Sequence, residues 1–189
     1  MNALMKRLTL AATLLPSAAL AHPGHVHDEA QFMHGLVHPV GGADHLLAMV
    51  ALGLLAAQLG GRAVWALPVT FVGAMLAGGA MGAGGMGLPV VEPMILASVV
   101  ILGVLVAMAA RLPMAALVPM VAVFGAAHGW AHGAEGPATG LPLYAAGFAL
   151  ATMALHLGGI AFGRVLSRGL ELRVLGGGTA LAGLALTVA

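Results

Sequence analysis

Apolar residues run through this chain in long blocks, not in the two-residue alternation of strands. Between them, short turn signals fall at near-regular intervals: Gly60-Gly61-Arg62, Gly82 to Gly87, Arg111 to Pro113, Gly133 to Gly140, and Arg164 to Arg173. They leave six apolar stretches, about 37–59, 63–82, 88–110, 112–132, 141–163 and 170–188. Each is close to the ~20 residues that a helix needs to cross the hydrocarbon core of a bilayer. Ahead of them, Lys6 and Arg7 precede a short apolar run from Leu8 to Leu15, then Ala19-Leu20-Ala21. A basic start, a short apolar centre and a small-x-small end are the marks of a secretory signal peptide, predicted to be cleaved after Ala21.

The pattern predicts an all-α membrane protein: a signal peptide over 1–21, a His-rich external segment over 22–36, and a six-helix transmembrane bundle over 37–189. The arginines test that division independently. All five beyond the signal peptide (Arg62, Arg111, Arg164, Arg168 and Arg173) fall in the loops after the first, third and fifth stretches. Lys and Arg concentrate on the cytoplasmic side, so both mature termini are expected outside the cytoplasm, in a multi-pass protein of a bacterial inner membrane. Gly125, Gly129 and Gly133 recur every four residues and predict close helix packing on the fourth stretch.

Composition agrees. The chain is 61% hydrophobic and 7% charged, where soluble domains carry about 25% charged residues. Lipid must therefore be the solvent for most of its surface. A net charge of +1 gives nucleic acid nothing to bind. The absence of cysteine removes disulfides, thiolate metal sites and thiol nucleophiles. Against this background nine histidines stand out, six of them between His22 and His45.

An ionisable group at the centre of a bilayer costs about 2.5–3.5 kcal/mol on insertion scales, which marks it as functional by default. One group is His38, Asp44 and His45, opening the first stretch, with Pro39 suited to a first helical turn. On an unbroken helix, His38 and His45 stand about 10 Å apart along the axis at 1.5 Å per residue. They can share an ion only if the helix breaks at Gly41-Gly42, as transporter helices do at ion sites. A second group is His128, His132 and Glu135, which spacings of four and three place within about 60° of one helical face. Two imidazoles at i, i+4 with a carboxylate chelate a divalent metal. In the six-span reading both groups reach the outer face. Glu92 and His156 are further candidates, the latter deeper and followed from Met153. Outside the bundle, His22, His25 and His27, with His34 after them, read as a flexible metal-collecting tail. The alternatives are an interhelical Asp–His hydrogen bond for the first two groups and a solvated linker for the tail.

These residues resemble the HupE/UreJ family of small membrane proteins associated with hydrogenase and urease gene sets. His, five residues, then Asp-His is matched by His38, Asp44 and His45. A Phe-His-Gly-x-Ala-His-Gly-x-Glu pattern is matched by 127–135, except that Ala127 replaces the aromatic; Phe124 lies one turn earlier. The resemblance implies a secondary permease taking up Ni²⁺ for hydrogenase or urease, with metallochaperones of those enzymes as partners and no prosthetic group. Ligand chemistry alone admits Ni²⁺, Co²⁺ and Zn²⁺. A Co²⁺ permease, a non-transporting metal-binding accessory protein and a metal-dependent intramembrane hydrolase are the other readings. The hydrolase lacks a His-Glu-x-x-His motif, since Gly129 occupies the position of the base.

Overall fold

The computed structural model describes residues 23–166 and 169–188, with the backbone alone for 23–28. The expected signal peptide and His22 lie outside the described residues, as do the side chains of His25 and His27. Seven helices and no strand are found among the described residues. They are α1 (Pro23–Gly41), α2 (Ala43–Leu59), α3 (Ala63–Ala83), α4 (Val91–Ala107), α5 (Met114–Ala134), α6 (Leu141–Val165) and α7 (Leu170–Leu186).

Three of these, α3, α5 and α6, are long and apolar enough to cross a membrane. The segment from Glu29 through α2 qualifies as a fourth span only as a pair, bent by 81° between Gly41 and Ala43. The remaining helices, α4 and α7, have 17 residues each, which is roughly 25 Å at 1.5 Å per residue and a few ångströms short of the ~30 Å core. Val90 and Ala109 bracket α4 in the left-handed backbone region, at φ 62° and 51°, and that trims both ends of the stretch expected over 88–110. Glu171 and Arg173 take up the first turn of α7. Three spans, or four with the bent pair, are thus defined by length and composition.

The most enclosed helix is α2. It touches α1, α3, α4, α6 and α7, and Ala48, Met49, Leu52, Leu55 and Ala56 are fully buried. A helix apolar on every side is one surrounded by others. The outer helices turn apolar side chains outward instead: Trp65, Leu150, Leu157 and Leu181 are all more than half exposed. Water would penalise such a surface and lipid accepts it. Of the polar side chains buried on α2 and α4, two donate to backbone carbonyls, while Gln58 Oε1 has no partner. Gln58 Nε2 donates to the Val106 carbonyl at 3.2 Å and Ser98 Oγ to the Ile95 carbonyl at 2.6 Å.

Glycine sets the directions of the helices. Gly125, Gly129 and Gly133 of α5 lie against the backbone of Phe71, Met75 and Gly79 of α3. The pairs advance together four at a time, so α3 and α5 run parallel. Gly159 and Gly163 of α6 advance likewise along Val50 to Ala57 of α2, whereas Gly176 and Gly183 of α7 meet Ala107 and Val99 of α4 in reverse order. Parallel α2/α6, parallel α3/α5 and antiparallel α4/α7 bring Arg62, Arg111, Arg164 and Arg173 to one end. The α1–α2 break and the close of α5 lie at the other.

A Cβ at Gly129 would meet the Met75 backbone, whereas one at Gly73 would meet nothing within 4 Å. Gly129→Leu is expected to destabilise the bundle by about 1–3 kcal/mol, the usual range for overpacking, while Gly73→Ala is neutral. Thermal unfolding of the purified protein in detergent, followed by size-exclusion chromatography, checks the contrast.

A candidate metal centre at the break between the first two helices

The site begins with the break that the sequence required. Helix α1 ends at Gly41, and Gly42 is extended (φ −108°, ψ 124°) before its carbonyl accepts from Leu46 N at 3.0 Å to open α2. The sequence reading placed Pro39 in a first helical turn, but it falls inside α1. Reading the first stretch as starting at 37 overlooked that helical geometry reaches back to Pro23, which also replaces a flexible tail with a helix over 23–41. Backbone hydrogen bonds satisfied along the chain are what make that helix tolerable beside lipid.

The 81° turn carries His38, on the last turn of α1, over the start of α2. There it joins side chains from α5. The His38 ring centroid is 4.7 Å from that of His132, His132 is 4.6 Å from His45, and His45 is 4.9 Å from His128. Four imidazoles from three helices form one continuous cluster. Phe148 of α6 closes it from the side, with its ring 4.4 Å from that of His132.

Hydrogen bonds assign which ring nitrogens are free. Asp44 Oδ1 accepts from both the backbone N of His45, at 2.9 Å, and His45 Nδ1, at 2.8 Å. A carboxylate can only accept, so His45 carries its proton on Nδ1 and offers a lone pair at Nε2. His128 Nδ1 likewise donates to the Phe124 carbonyl at 2.9 Å, and its buried Nε2 has no partner. His132 Nε2 is hydrogen-bonded to His45 Nε2, which makes it the donor of that pair. Tying off Nδ1 with a carboxylate or carbonyl is how proteins orient an imidazole for metal ligation. As the side chains stand, no three His, Asp or Glu among the described residues are arranged to hold an ion. Separating the His45–His132 pair is what would open the cluster to one.

The other predicted residues divide. Glu135 caps the C-terminus of α5 and is exposed above the cluster. Glu92 is exposed in the first turn of α4, with no hydrogen bond or ion pair among the described residues. His156 is fully buried in α6 and separated from the cluster by Phe71, whose ring lies 5.3 Å from His128 and 5.1 Å from His156. Ala127, where the family pattern has an aromatic, packs with Val91 and Ile95 of α4, while Phe124 contributes its carbonyl.

Sequence reasoning passed over two neighbours, Tyr144 and Phe148, and assigned a third, His34, to the external tail. His34 is exposed on α1, 5.7 Å from His38 and 5.2 Å from Tyr144 by ring centroids. Its spacing of four from His38 was the available signal. Phe148 and Tyr144 gave none, since each is an ordinary aromatic on an apolar helix. Both line a cavity of about 200 Å³ between α3, α5 and α6, together with His132, Met75, Gly129 and Gly133.

An all-helical bundle with a lipid-compatible exterior, gathering four imidazoles and a carboxylate at one end, has the architecture of a helical membrane protein. The chain belongs to the HupE/UreJ family: the family described as HupE / UreJ protein matches residues 10–186. It is also 45% identical to Protein HupE of Rhizobium leguminosarum bv. viciae, with 95% of each chain covered. No solved structure matches it. The family comprises permease and accessory proteins, so the chain is not an enzyme and the intramembrane hydrolase falls away.

Because Asp44 holds His45 in the Nε2-ligating tautomer, Asp44→Asn is expected to weaken Ni²⁺ binding about 10–100-fold, the usual consequence of losing such a partner. Isothermal titration of the purified protein, compared with Ala43→Ser as a neighbouring control, reads this directly.

Proposed function

We propose that this protein is a secondary permease that takes up a divalent transition metal across a bacterial inner membrane, with Ni²⁺ as its first substrate and Co²⁺ as the alternative. The observation that carries the reading is the cluster of His38, Asp44, His45, His128 and His132. Two of its imidazoles have Nδ1 engaged, which leaves Nε2 unpartnered on His128 and shared with His132 on His45. Imidazole and carboxylate suit Ni²⁺, which outranks Co²⁺ in intrinsic affinity for such donors, and the motif resemblance implies the same ion. Metallochaperones for hydrogenase or urease maturation are the expected recipients.

In this reading the helices make six spans with both mature termini outside, and the signal peptide is removed after Ala21. The arginine-bearing breaks then face the cytoplasm in accord with the positive-inside rule, and the cluster opens outward. The short α4 and α7 span with local thinning of the bilayer, at a cost of fractions of a kcal/mol per ångström. His22, His25, His27 and His34 collect the ion, and Glu135 and Glu92 add negative charge at the mouth. The cluster exchanges hydration water for imidazole nitrogen. The chain has no nucleotide-binding loop, so the ion descends the membrane potential, worth about 4.6 kcal/mol for a divalent cation at 100 mV.

Radiolabelled nickel flux into proteoliposomes tests this. Wild type is expected to show saturable uptake, and His132→Ala to reduce it to background. Binding without flux in the wild type would leave a metal-binding accessory protein in its place.

Only neutral imidazole ligates a metal, and protonation removes the ligand. Uptake should therefore be complete at pH 7.5 and fall steeply by pH 5, with internal pH and potential clamped. A flat profile would show that histidine ligation does not limit uptake.

A further inference from the structure

Below the outer cluster lies a buried imidazole that it does not use. His156 has no exposed surface, and neither Nδ1 nor Nε2 has a hydrogen-bond partner. Leaving a polar group unpaired in a buried place is costly, so a histidine kept there with both nitrogens free calls for a ligand. Its surroundings supply other donors. One turn earlier on α6, the buried hydroxyl of Thr152 donates to Met75 Sδ of α3 at 3.7 Å. One turn from Met75 on α3, Phe71 packs edge-on against His156. Two rungs therefore join α3 to α6: Phe71 with His156, and Met75 with Thr152. Thioether sulfur thus arrives one turn outward of His156, at Thr152, from Met75 of the neighbouring helix, where the sequence had pointed to Met153 on His156's own helix.

We propose that His156, with Thr152 and Met75, forms a second and deeper binding station for the divalent transition metal, entered from the outer cluster past Phe71. This rests on the permease reading. The donor set is neutral throughout: imidazole nitrogen, thioether sulfur and hydroxyl oxygen. With no carboxylate among these donors, the station holds the ion more weakly than the outer cluster. Conduction requires that asymmetry, since a site must bind well enough to be occupied and loosely enough to be left. Met75 also lines the cavity that holds His132, so the two stations share a wall.

The test compares wild type, His156→Gln and His132→Ala as full-length protein in lipid nanodiscs, with nickel counted by equilibrium dialysis at saturation, and in proteoliposomes for flux. His156→Gln is expected to bind one equivalent fewer than wild type while keeping the high-affinity phase that His132→Ala loses. Its maximal flux should fall about tenfold or more, in line with losing a metal-positioning group, at an unchanged half-saturation concentration. Should His156→Gln fail to fold, Met75→Leu and Thr152→Val preserve volume and are expected to lower maximal flux in the same way. Unchanged stoichiometry with wild-type flux, in His156→Gln or in both substitute variants, overturns the station and leaves a hydrated structural histidine. If wild type shows no flux but His156→Gln still loses an equivalent, the permease reading fails and the second site stands.

Discussion

The two-glycine interruption between α1 and α2 is the constraint from which the site follows. A continuous helix would hold His38 and His45 about two turns apart, out of reach of any shared ligand. The bend at Gly42 frees the backbone of that turn, and the opening of α2 then settles its own polar groups. Asp44 takes the amide and the ring Nδ1 of His45 together, so one carboxylate both braces the helix start and fixes a tautomer. Helix α5 completes the arrangement only because Gly125, Gly129 and Gly133 let it lie directly against the α3 backbone. That close approach sets the depth of His128 and His132, and it brings Phe71 of α3 against the inner side of the cluster.

The cluster is primed and self-satisfied at once. In a medium that cannot solvate imidazole, unliganded rings engage whatever donor or acceptor is near, and here His45 and His132 engage each other. In the proposed uptake an arriving cation would compete with that contact, while the Asp44 and Phe124 anchors on the far nitrogens hold His45 and His128. The same logic separates the outer group, where a carboxylate supplies charge, from His156, where none of the neighbouring donors is charged.

Much of this was legible in the chain. Blocks of apolar residues gave an all-helical membrane protein, the arginine positions gave a sided bundle, and spacings of four and three put His128, His132 and Glu135 on one face. The HupE/UreJ resemblance rested on those same motifs, and the family match bears it out. Lengths were less legible. The reading counted residues up to each turn signal, whereas Val90 and Ala109 leave helical geometry early and cut α4 to 17 residues.

The sequence by itself determined the all-helical class, the lipid-compatible surface and which imidazoles and carboxylates lie along each apolar stretch, because each of these is a property of residues near one another along the chain. It also specified the condition under which His38 could take part, a break at Gly41-Gly42. Only the tertiary structure decided that the break occurs, that Phe71 stands between His128 and His156, that Phe148 closes the cluster from the side, and that Glu92 stands exposed at the start of α4. Those are contacts between helices far apart in sequence. They depend on crossing geometry and backbone approach, which local periodicity does not encode.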